Sequence, residues 1–333
     1  SVASLQRPDG SFATTPEEVA QALCDHWSPV FAEHPIQQPV LDAWLRCLGP
    51  IRPTLEPSSL PTLTPQRMAT AIRRANPTAP GPDGIPFLAW KRIAPLAALT
   101  LTNTFHALTL PDALPQLRAA FPTPHGHSFN AGTMIFIPKK TKYHHHLHGE
   151  YFKPSELRPL TLLNTDNRLI ASAIRYLIEP HIAPLIHHHQ RGFLPKRSMV
   201  ANVTDIEAHS LFSSLQNRKP ALFLWDFQAA FPSLSHRALL TIATSLGLPS
   251  SILAYLQVLY SYNICDIGLA GRLLPGFSIL AGIRQGCPLS PYLFLIVMTV
   301  MFHDIHKNDN ANTEKHRIPV SYTHLTLPTT PYV

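Results

Sequence analysis

Proline is the residue type that most constrains how this chain can fold. The chain has 34 prolines among its 333 residues, against 14 glycines. Because proline fixes φ and has no backbone N–H, it starts or ends regular elements more readily than it continues them. This density predicts many short helices joined by fixed turns. A core can still form, since 45% of the residues are hydrophobic and 14% are charged, and wholesale disorder is excluded.

Positive charge is concentrated in the middle of the chain. Residues 61–215 contain 16 Lys and Arg against 8 Asp and Glu, whereas residues 1–60 contain 3 against 7. A basic section of this kind suits a polyanionic partner, because each neutralised phosphate releases condensed counterions. An ordinary basic surface would have the same composition, so charge alone leaves both interpretations open.

The cysteines and the hydropathy indicate an intracellular protein. Cys24, Cys47, Cys265 and Cys287 have no metal-ligand spacing, and a disulfide framework is implausible in a chain this long. No run of 18 or more apolar residues occurs, so we expect no membrane span. The chain begins at Ser1 without a signal peptide, and we interpret it as an excerpt of a longer protein.

Caps and apolar spacing predict several helices. A first helix, capped by Thr15, should bury Val19, Leu23, Trp27 and Phe31, and a proline-rich linker over 49–65 should follow it. A second should start at Thr64-Pro65 and bury Met68, Ala71 and Ile72. Further helices are predicted over 168–179 with Pro180 as the stop, around 235–246 with Ser235 as the cap, over 250–260, and from Ser290 to about Asp304.

Apolar runs predict the strands, and the fold class is therefore α+β. Residues 133–137 form a short apolar strand, and residues 221–225 read as a strand buried on both faces. Residues 264–280 predict a hairpin that turns near Gly271-Arg272. The segment 79–85 is rich in Pro and Gly and predicts a loop.

The carboxylate at the end of the 221–225 strand is the first candidate for chemistry. Asp226 would be costly to bury unless a cation or strong donors meet it. Polymerases use such carboxylates on rigid strands to hold two magnesium ions roughly 3.5–4 Å apart. A strand-end Asp that caps the next helix is the alternative.

The second candidate is the segment 282–291, in which a glycine lies beside Arg and Gln just before a capped helix. Such a glycine lets the backbone approach a base pair or a phosphate closely. An ordinary loop and helix start would have the same pattern.

Together these segments resemble the polymerase motifs of reverse transcriptases of the non-LTR (LINE-type) retrotransposons. The resemblance rests on ordered motifs between residues 64 and 306: Pro-Gly-Pro-Asp-Gly-Ile at 80–85, Ile-Pro-Lys at 137–139, Leu-Arg-Pro-Leu at 157–160, Gln-Arg-Gly-Phe-Leu-Pro at 190–195, Asp-Phe-x-x-Ala-Phe at 226–231 and Arg-Gln-Gly-Cys-Pro-Leu-Ser-Pro at 284–291. It implies a right-hand polymerase-like fold. Residues 1–60 would be a helix and linker, 61–215 the fingers, and 216–318 an incomplete palm with an antiparallel sheet packed on helices. The thumb would be absent, and 319–333 looks like a non-native tail.

The resemblance also implies residue roles. Asp226 would ligate two Mg²⁺ ions, and the main-chain carbonyl of Phe227 would help hold one. Phe231 matches the aromatic steric gate that excludes a ribose 2′-hydroxyl. Lys139 and Arg158 match the fingers residues that grip the incoming triphosphate.

Four further residues complete the predicted site. Gln285 and Gly286 are similar to the residues that lie along the nascent base pair. Arg284 and Arg191 would contact nucleic acid. The implied partners are an RNA template, a DNA primer and deoxynucleoside triphosphates, with no membrane, in the nucleus and a cytoplasmic ribonucleoprotein.

The third polymerase motif of the family, an aromatic-Ala-Asp-Asp hairpin, is missing, because no Asp-Asp pair occurs in the chain. With one of three carboxylates, two hard cations are not expected to be held in working geometry, so we expect this polypeptide by itself to be inactive. Two alternatives stay open: a group II intron maturase-like or domesticated relative that grips RNA without polymerising, and a decayed pseudogene product.

Two histidine clusters invite a metal site. For His144, His145, His146 and His148 a polar fingers loop is the favoured interpretation, since Glu150 is the only acid or thiol at useful spacing. The second cluster, residues 187–189, we interpret as local structure or a nucleic-acid contact.

Overall fold

The fold is described from a computed structural model, which covers residues 4–48, 60–120, 129–139, 143–216, 226–227 and 229–310. Three predicted segments therefore lie wholly or largely outside the described residues: the linker after position 48, the strand over 221–225 and the C-terminal tail. None of the described helices is long and apolar enough to cross a bilayer.

Helices account for most of the described structure. They are α1 Pro16–Trp27, α2 Gln38–Cys47, α3 Pro65–Arg74, α4 Phe87–Arg92, α5 Ala94–Leu108, α6 Ala113–Ala120, α7 Thr165–Ile182, α8 Val200–Leu215, α9 His236–Ser245, α10 Ser250–Leu259 and α11 Ser290–Asn310. The strands are β1 Leu5–Gln6, β2 Phe12–Ala13, β3 Gly132–Pro138, β4 Tyr143–His145, β5 Gly149–Tyr151, β6 Leu157–Leu163, β7 Ile264–Leu269 and β8 Arg272–Ser278. The predicted α+β class is confirmed.

Several helices begin where their capping residues predict. Thr15 and Glu18 form a reciprocal capping box at the start of α1, satisfying backbone N–H groups that the helix itself cannot. Thr64 caps α3, and Ser235 caps α9. The apolar residues predicted for α1 and α3 are buried.

Other boundaries differ from the prediction. α7 continues past Pro180 to Ile182. Proline removes one backbone hydrogen bond, and here only two helical residues follow it, so the helix loses little. The segment after α1 holds a second helix, α2, and α11 extends beyond Asp304. The β7–β8 turn is Ala270-Gly271, with φ of 51° and 75°, a pair of positive values typical of two-residue hairpins.

The largest described sheet has the strand order β6-β3-β7-β8. β3 is antiparallel to β6 and parallel to β7, and β7 is antiparallel to β8. The sheet is therefore mixed, and it joins strands from both sides of the predicted fingers–palm boundary at residue 215.

One face of this sheet is covered and the other is not. α1 packs on the covered face, where Trp27 lies 6.3 Å from Phe136 between ring centroids. Side chains alternate along a strand, so the residues between those of the covered face project from the opposite side. On that side, which we name the open face, the β3 and β6 side chains are largely half-buried or exposed. They are Ile135, Ile137, Arg158, Leu160 and Leu162, together with Thr133, which is buried; Lys139 follows just past the end of β3.

A second and larger core lies among the helices. α7 runs through it with buried residues on most of its length, and α3, α5, α9, α10 and α11 contribute most of the other buried side chains. This core fixes the start of α7 and the loop before α11, and both border the site described next.

Candidate polymerase site

Two of the predicted triphosphate-binding residues lie at one end of the open face. Arg158 on β6 pairs with Ile137 on β3, and Lys139 follows two residues later, just past the end of β3. Both side chains are exposed. The backbone N–H of Lys139 donates to Glu156 O over 2.8 Å, and its ammonium donates to Ser155 O over 2.9 Å. Two exposed cations thus lie near the same end of the β3–β6 pair.

The Gln285-Gly286 loop lies against the outer edge of β6. Thr161 donates its N–H to the carbonyl of Gln285 over 2.8 Å. Gly286 has φ +117°, and a Cβ there would lie 2.4 Å from Thr161 O. Only glycine tolerates both conditions. The same Cβ would be 3.6 Å from Leu160 Cδ1, so the loop lies beside the open face.

Asp226 and Phe227 are both exposed, and Phe227 keeps 51% of its surface accessible. The following turn closes through a 3.0 Å bond from Ser233 N–H to Ala229 O, with Ala229 at φ 52°. The carboxylate predicted to bind metal is accessible to solvent and ions.

The turn after Asp226 is attached to the loop before Gln285. Gly282 N–H donates to Leu234 O over 2.7 Å, and Ile283 N–H donates to Phe231 O over 2.9 Å. Gly282 has φ +87°, and a Cβ there would lie 2.3 Å from Pro232 O. Two of the family's motifs are thus joined main chain to main chain.

His236, a residue that the sequence did not single out, reinforces this junction. Its Nε2 donates to the carbonyl of Gly282 over 2.6 Å. Burial lowers the pKa of His236, because the protonated ring would lose its hydration. The neutral ring therefore supports the junction at neutral pH.

Phe231 is only 2% exposed. Its ring centroid lies 4.9 Å from that of Phe294 and 6.4 Å from that of Phe193. In this structure the ring is part of the core and shows no surface to a ribose. Its predicted role as a steric gate stays a prediction that requires movement of the turn.

Arg284 is 1% exposed, a position that does not fit the predicted contact with template or phosphate. Its guanidinium donates to Leu259 O over 3.1 Å, and to Asn130 O and Asn263 Oδ1 over 3.5 Å each. It also lies 5.9 Å from the ring centroid of Tyr260. Carbonyls at the end of α10 suit a cation there, because helix C-termini carry partial negative charge.

Arg191, the other predicted nucleic-acid contact, is ion-paired. Its Nη2 lies 2.6 Å from Asp205 Oδ2, and its side chain is 18% exposed. The ion pair satisfies part of its charge, so a role in nucleic-acid binding stays a prediction.

The 80–85 motif is attached to the start of α7. A Cβ on Gly81 would lie 2.3 Å from the backbone nitrogen of Asn164, and Asp83 N–H donates to Asn164 Oδ1 over 3.2 Å. Arg168 donates to Ala79 O over 3.0 Å. Gly81 is required in this motif because its backbone lies too close to that of Asn164 for a Cβ to fit. The sequence alone did not indicate this reason.

Arg197 was also missed by the sequence analysis. It donates to four backbone carbonyls over 2.8–3.1 Å: Ala183, Ile186, His187 and Gln190. The only signal in the sequence is its position just after the 190–195 motif. Its contacts hold that motif to the end of α7.

The donor set fits a hard divalent cation only in part. The Asp226 carboxylate and the Phe227 carbonyl offer the oxygen ligands that Mg²⁺ prefers. Across the part of the chain that the structure describes, no group of three or more carboxylate, thiol or imidazole ligands includes Asp226. Reverse transcriptases, which these motifs resemble, generally depend on a divalent metal.

Comparison with known proteins agrees with the motifs. The family model for reverse transcriptase (RNA-dependent DNA polymerase) matches residues 137–318. The chain is 22% identical over 302 residues to the Transposon TX1 uncharacterized 149 kDa protein of Xenopus laevis, covering 89% of this chain and 21% of that protein.

Two further relatives are Pol polyproteins of R2 elements. The retrovirus-related Pol polyprotein from type-2 retrotransposable element R2DM of Drosophila melanogaster is 28% identical over 178 residues, 52% of this chain and 15% of that protein. The Pol polyprotein from type-1 retrotransposable element R2 of Popillia japonica is 25% identical over 238 residues, 70% of this chain and 29% of that protein. The chain therefore spans less than a third of the length of these relatives. The predicted resemblance is confirmed, and the chain belongs to the reverse transcriptase family, within its non-LTR retrotransposon branch.

Proposed function

We propose that this chain is the fingers and part of the palm of a retrotransposon RNA-directed DNA polymerase, and that the open face and its bordering loop hold the incoming deoxynucleoside triphosphate. The observation that carries the proposal is the position of Lys139 and Arg158 at one end of the β3–β6 pair, with Gly286 along its outer edge. Arg158 and Gly286 border the open face, and Lys139 lies just past the end of β3, next to the Ile137–Arg158 pair. The triphosphate of a nucleotide requires cations, which Lys139 and Arg158 provide. Its base requires a backbone without a side chain in the way, which Gly286 provides.

The dimensions of this surface suit a nucleotide. Arg158 and Thr161, whose N–H bonds Gln285, are three residues apart on β6, which corresponds to about 10 Å at ~3.3 Å per residue. A nucleotide could therefore place its phosphates near the two cations while its base lies against Gln285 and Gly286. The cations would neutralise the charge that develops on the transferred phosphoryl group.

Asp226 and the Phe227 carbonyl would hold a magnesium ion, which supplies charge neutralisation at the attacking and leaving oxygens. The remaining carboxylates of the site would come from outside this sequence, since it has no Asp-Asp pair. Arg284 serves as a positioning residue in this proposal, because its buried guanidinium anchors the backbone next to Gln285. Phe231 would act as the steric gate only after the turn that carries it opens.

The proposed partners are an RNA template and a DNA primer, with Arg191 among the contacts to them. The support is the basic composition of residues 61–215 and the nature of the relatives, which are transposon and retrotransposable-element proteins. A nuclear and ribonucleoprotein location belongs to the same proposal.

Equilibrium binding of a fluorescent deoxynucleoside triphosphate in magnesium tests the nucleotide site. We expect Lys139→Ala and Arg158→Ala each to weaken binding about tenfold, as loss of a charge-assisted contact predicts. Arg272→Ala is the control, because Arg272 is an exposed cation of the same sheet on β8, ion-paired to Glu17. Equal losses in all three variants, or none in the first two, would contradict the proposed site.

Primer extension on an RNA template separates polymerase function from RNA binding. We expect no elongation by this chain alone, and elongation by a full-length protein that Asp226→Asn abolishes. A full-length protein that binds RNA but never extends a primer would favour the RNA-binding alternative. Robust extension by the chain alone would contradict our account of its missing carboxylates.

A further inference from the structure

Three consecutive histidines converge in the turn between α7 and the 190–195 motif. His187, His188 and His189, which we name the histidine turn, have ligand atoms that all lie within 4.8 Å of one another. Their ring centroids are 4.4, 5.2 and 4.0 Å apart. Among the residues described, no other group of three or more imidazole, thiol or carboxylate ligands converges in this way.

In the other histidine cluster, residues 144–148, the imidazoles do not form such a group of ligands. His145 lies at the end of β4, and its ring and that of His148 pack on Phe12, with centroids 4.8 and 4.3 Å away. These rings are used for aromatic packing. Consecutive residues alternate between the two faces of a strand, whereas a turn lets three neighbours point together.

The backbone of the histidine turn is held from both ends. Arg197 donates to the carbonyls of Ala183 and Ile186 before the turn, and to those of His187 and Gln190 within and after it. A backbone fixed in this way holds the three imidazoles near one another before a metal ion binds. Binding therefore costs less conformational entropy.

The first imidazole is also fixed by its neighbours. The His187 side chain is 7% exposed and stacks on Phe302 at 5.9 Å with an interplanar angle of 24°. His303 meets it edge-on at 4.9 Å. One ligand is thus held firmly, while His188 is exposed and His189 is half-buried, which leaves access for an ion.

We propose that the histidine turn binds a divalent transition-metal ion of the zinc class, through one nitrogen of each imidazole and with water in the fourth position. Imidazole nitrogens bind Zn²⁺ at about 2.0–2.1 Å in tetrahedral geometry. Ligand nitrogens in such a site are about 3.3 Å apart, so the rings must close by up to about 1.5 Å from their separations of at most 4.8 Å. The ion would compete with the 3.3 Å hydrogen bond from His189 N–H to His187 Nδ1 if it took that nitrogen.

An ion at this position would rigidify the segment that leads into the Gln190–Pro195 motif. Arg197 already binds the backbone carbonyls of this turn. The ion would bind its side chains, so the two sets of contacts would stabilise different parts of the turn. The site lies apart from Asp226 in the sequence and uses none of the residues of the proposed polymerase chemistry.

The test is a titration of the metal-stripped chain, prepared without a polyhistidine tag, with Zn²⁺ in a calorimeter. The His188→Asn/His189→Asn double variant removes two ligands at accessible positions, and far-UV circular dichroism checks that it folds. His144→Asn/His146→Asn is the matched control, with the same change in the other cluster.

We expect one zinc ion per chain for the native protein and the control, and affinity lower by at least about tenfold in the turn variant. Zinc should also raise the melting temperature of the native chain and the control, but not of the turn variant. Absence of binding, equal affinity in the turn variant, or loss of the ion in the control would each overturn the proposal.

Discussion

Gly282 is the position at which a single added methyl group should separate two motifs of the site. Gly282→Ala introduces a Cβ about 2.3 Å from Pro232 O in a segment buried on both sides. Gly10 supplies a matched comparison, because its φ is also +87° but its Cβ would meet nothing within 4 Å. The two variants share the conformational penalty and differ only in the available space.

The expected loss in the free energy of unfolding follows from the hydrogen bonds that the new Cβ would weaken. The shared penalty of alanine at positive φ is about 1–2 kcal/mol. At Gly282 the clash is with main chain, so the junction must open and two bonds weaken, Gly282–Leu234 at 2.7 Å and Ile283–Phe231 at 2.9 Å. Each costs about 1–2 kcal/mol when its buried partners are left unsatisfied. We therefore expect Gly282→Ala to cost about 3–6 kcal/mol in total, and Gly10→Ala about 1–2 kcal/mol.

Urea denaturation of both variants, followed by circular dichroism, measures this difference. The midpoint of Gly282→Ala should fall about 1 M or more below that of Gly10→Ala at an unchanged slope. Equal midpoints would refute the inference that the two motifs are packed main chain to main chain. A stable Gly282→Ala protein with native midpoint would refute it as well.

Variants at three further positions test buried and half-buried polar groups. Arg284→Met should cost no more than about 1–2 kcal/mol in urea, because relief of a buried charge offsets the lost bonds, whereas Arg284→Ala should cost about 3–5 kcal/mol because it also leaves a cavity. His236 has a folded pKa lowered by burial from its ordinary 6.5, so its contribution is present above pH 6.5 and is lost as pH falls below it. The stability difference between native protein and His236→Gln should therefore shrink between pH 8 and pH 5, and a constant difference would contradict this assignment. Arg197→Lys should cost about 2 kcal/mol in a thermal melt, since an ammonium cannot reach four carbonyls at once; an unchanged melting temperature would show that the four bonds contribute little.

Local signals in the sequence predicted local structure well. Thr15, Thr64 and Ser235 each mark a helix start, because a capping side chain satisfies orphan N–H groups within a few residues of itself. The apolar residues of α1 and α3 were predicted as buried for a similar reason, since helical periodicity is visible in a short window.

Nonlocal features were not predictable in the same way. Nothing near Arg284 or Phe231 in the sequence indicates that the structure buries both, since burial depends on α10 and α11, which pack around them from elsewhere. Pairing of β3 with β7 likewise depends on which strands meet in space. The motif residues were recognised, while their orientation was not.

The parallel contact between β3 and β7 has a consequence for how the chain folds. β3 and β6 are near neighbours in sequence and can form a hairpin-like pair early, but the inner edge of β3 stays unsatisfied until β7 has been synthesised and returns to it. During translation that edge is a row of exposed backbone donors and acceptors, a hazard for association with other nascent chains. The proline at the end of β3 limits this hazard, because Pro138 has no N–H to offer at one end of the exposed edge.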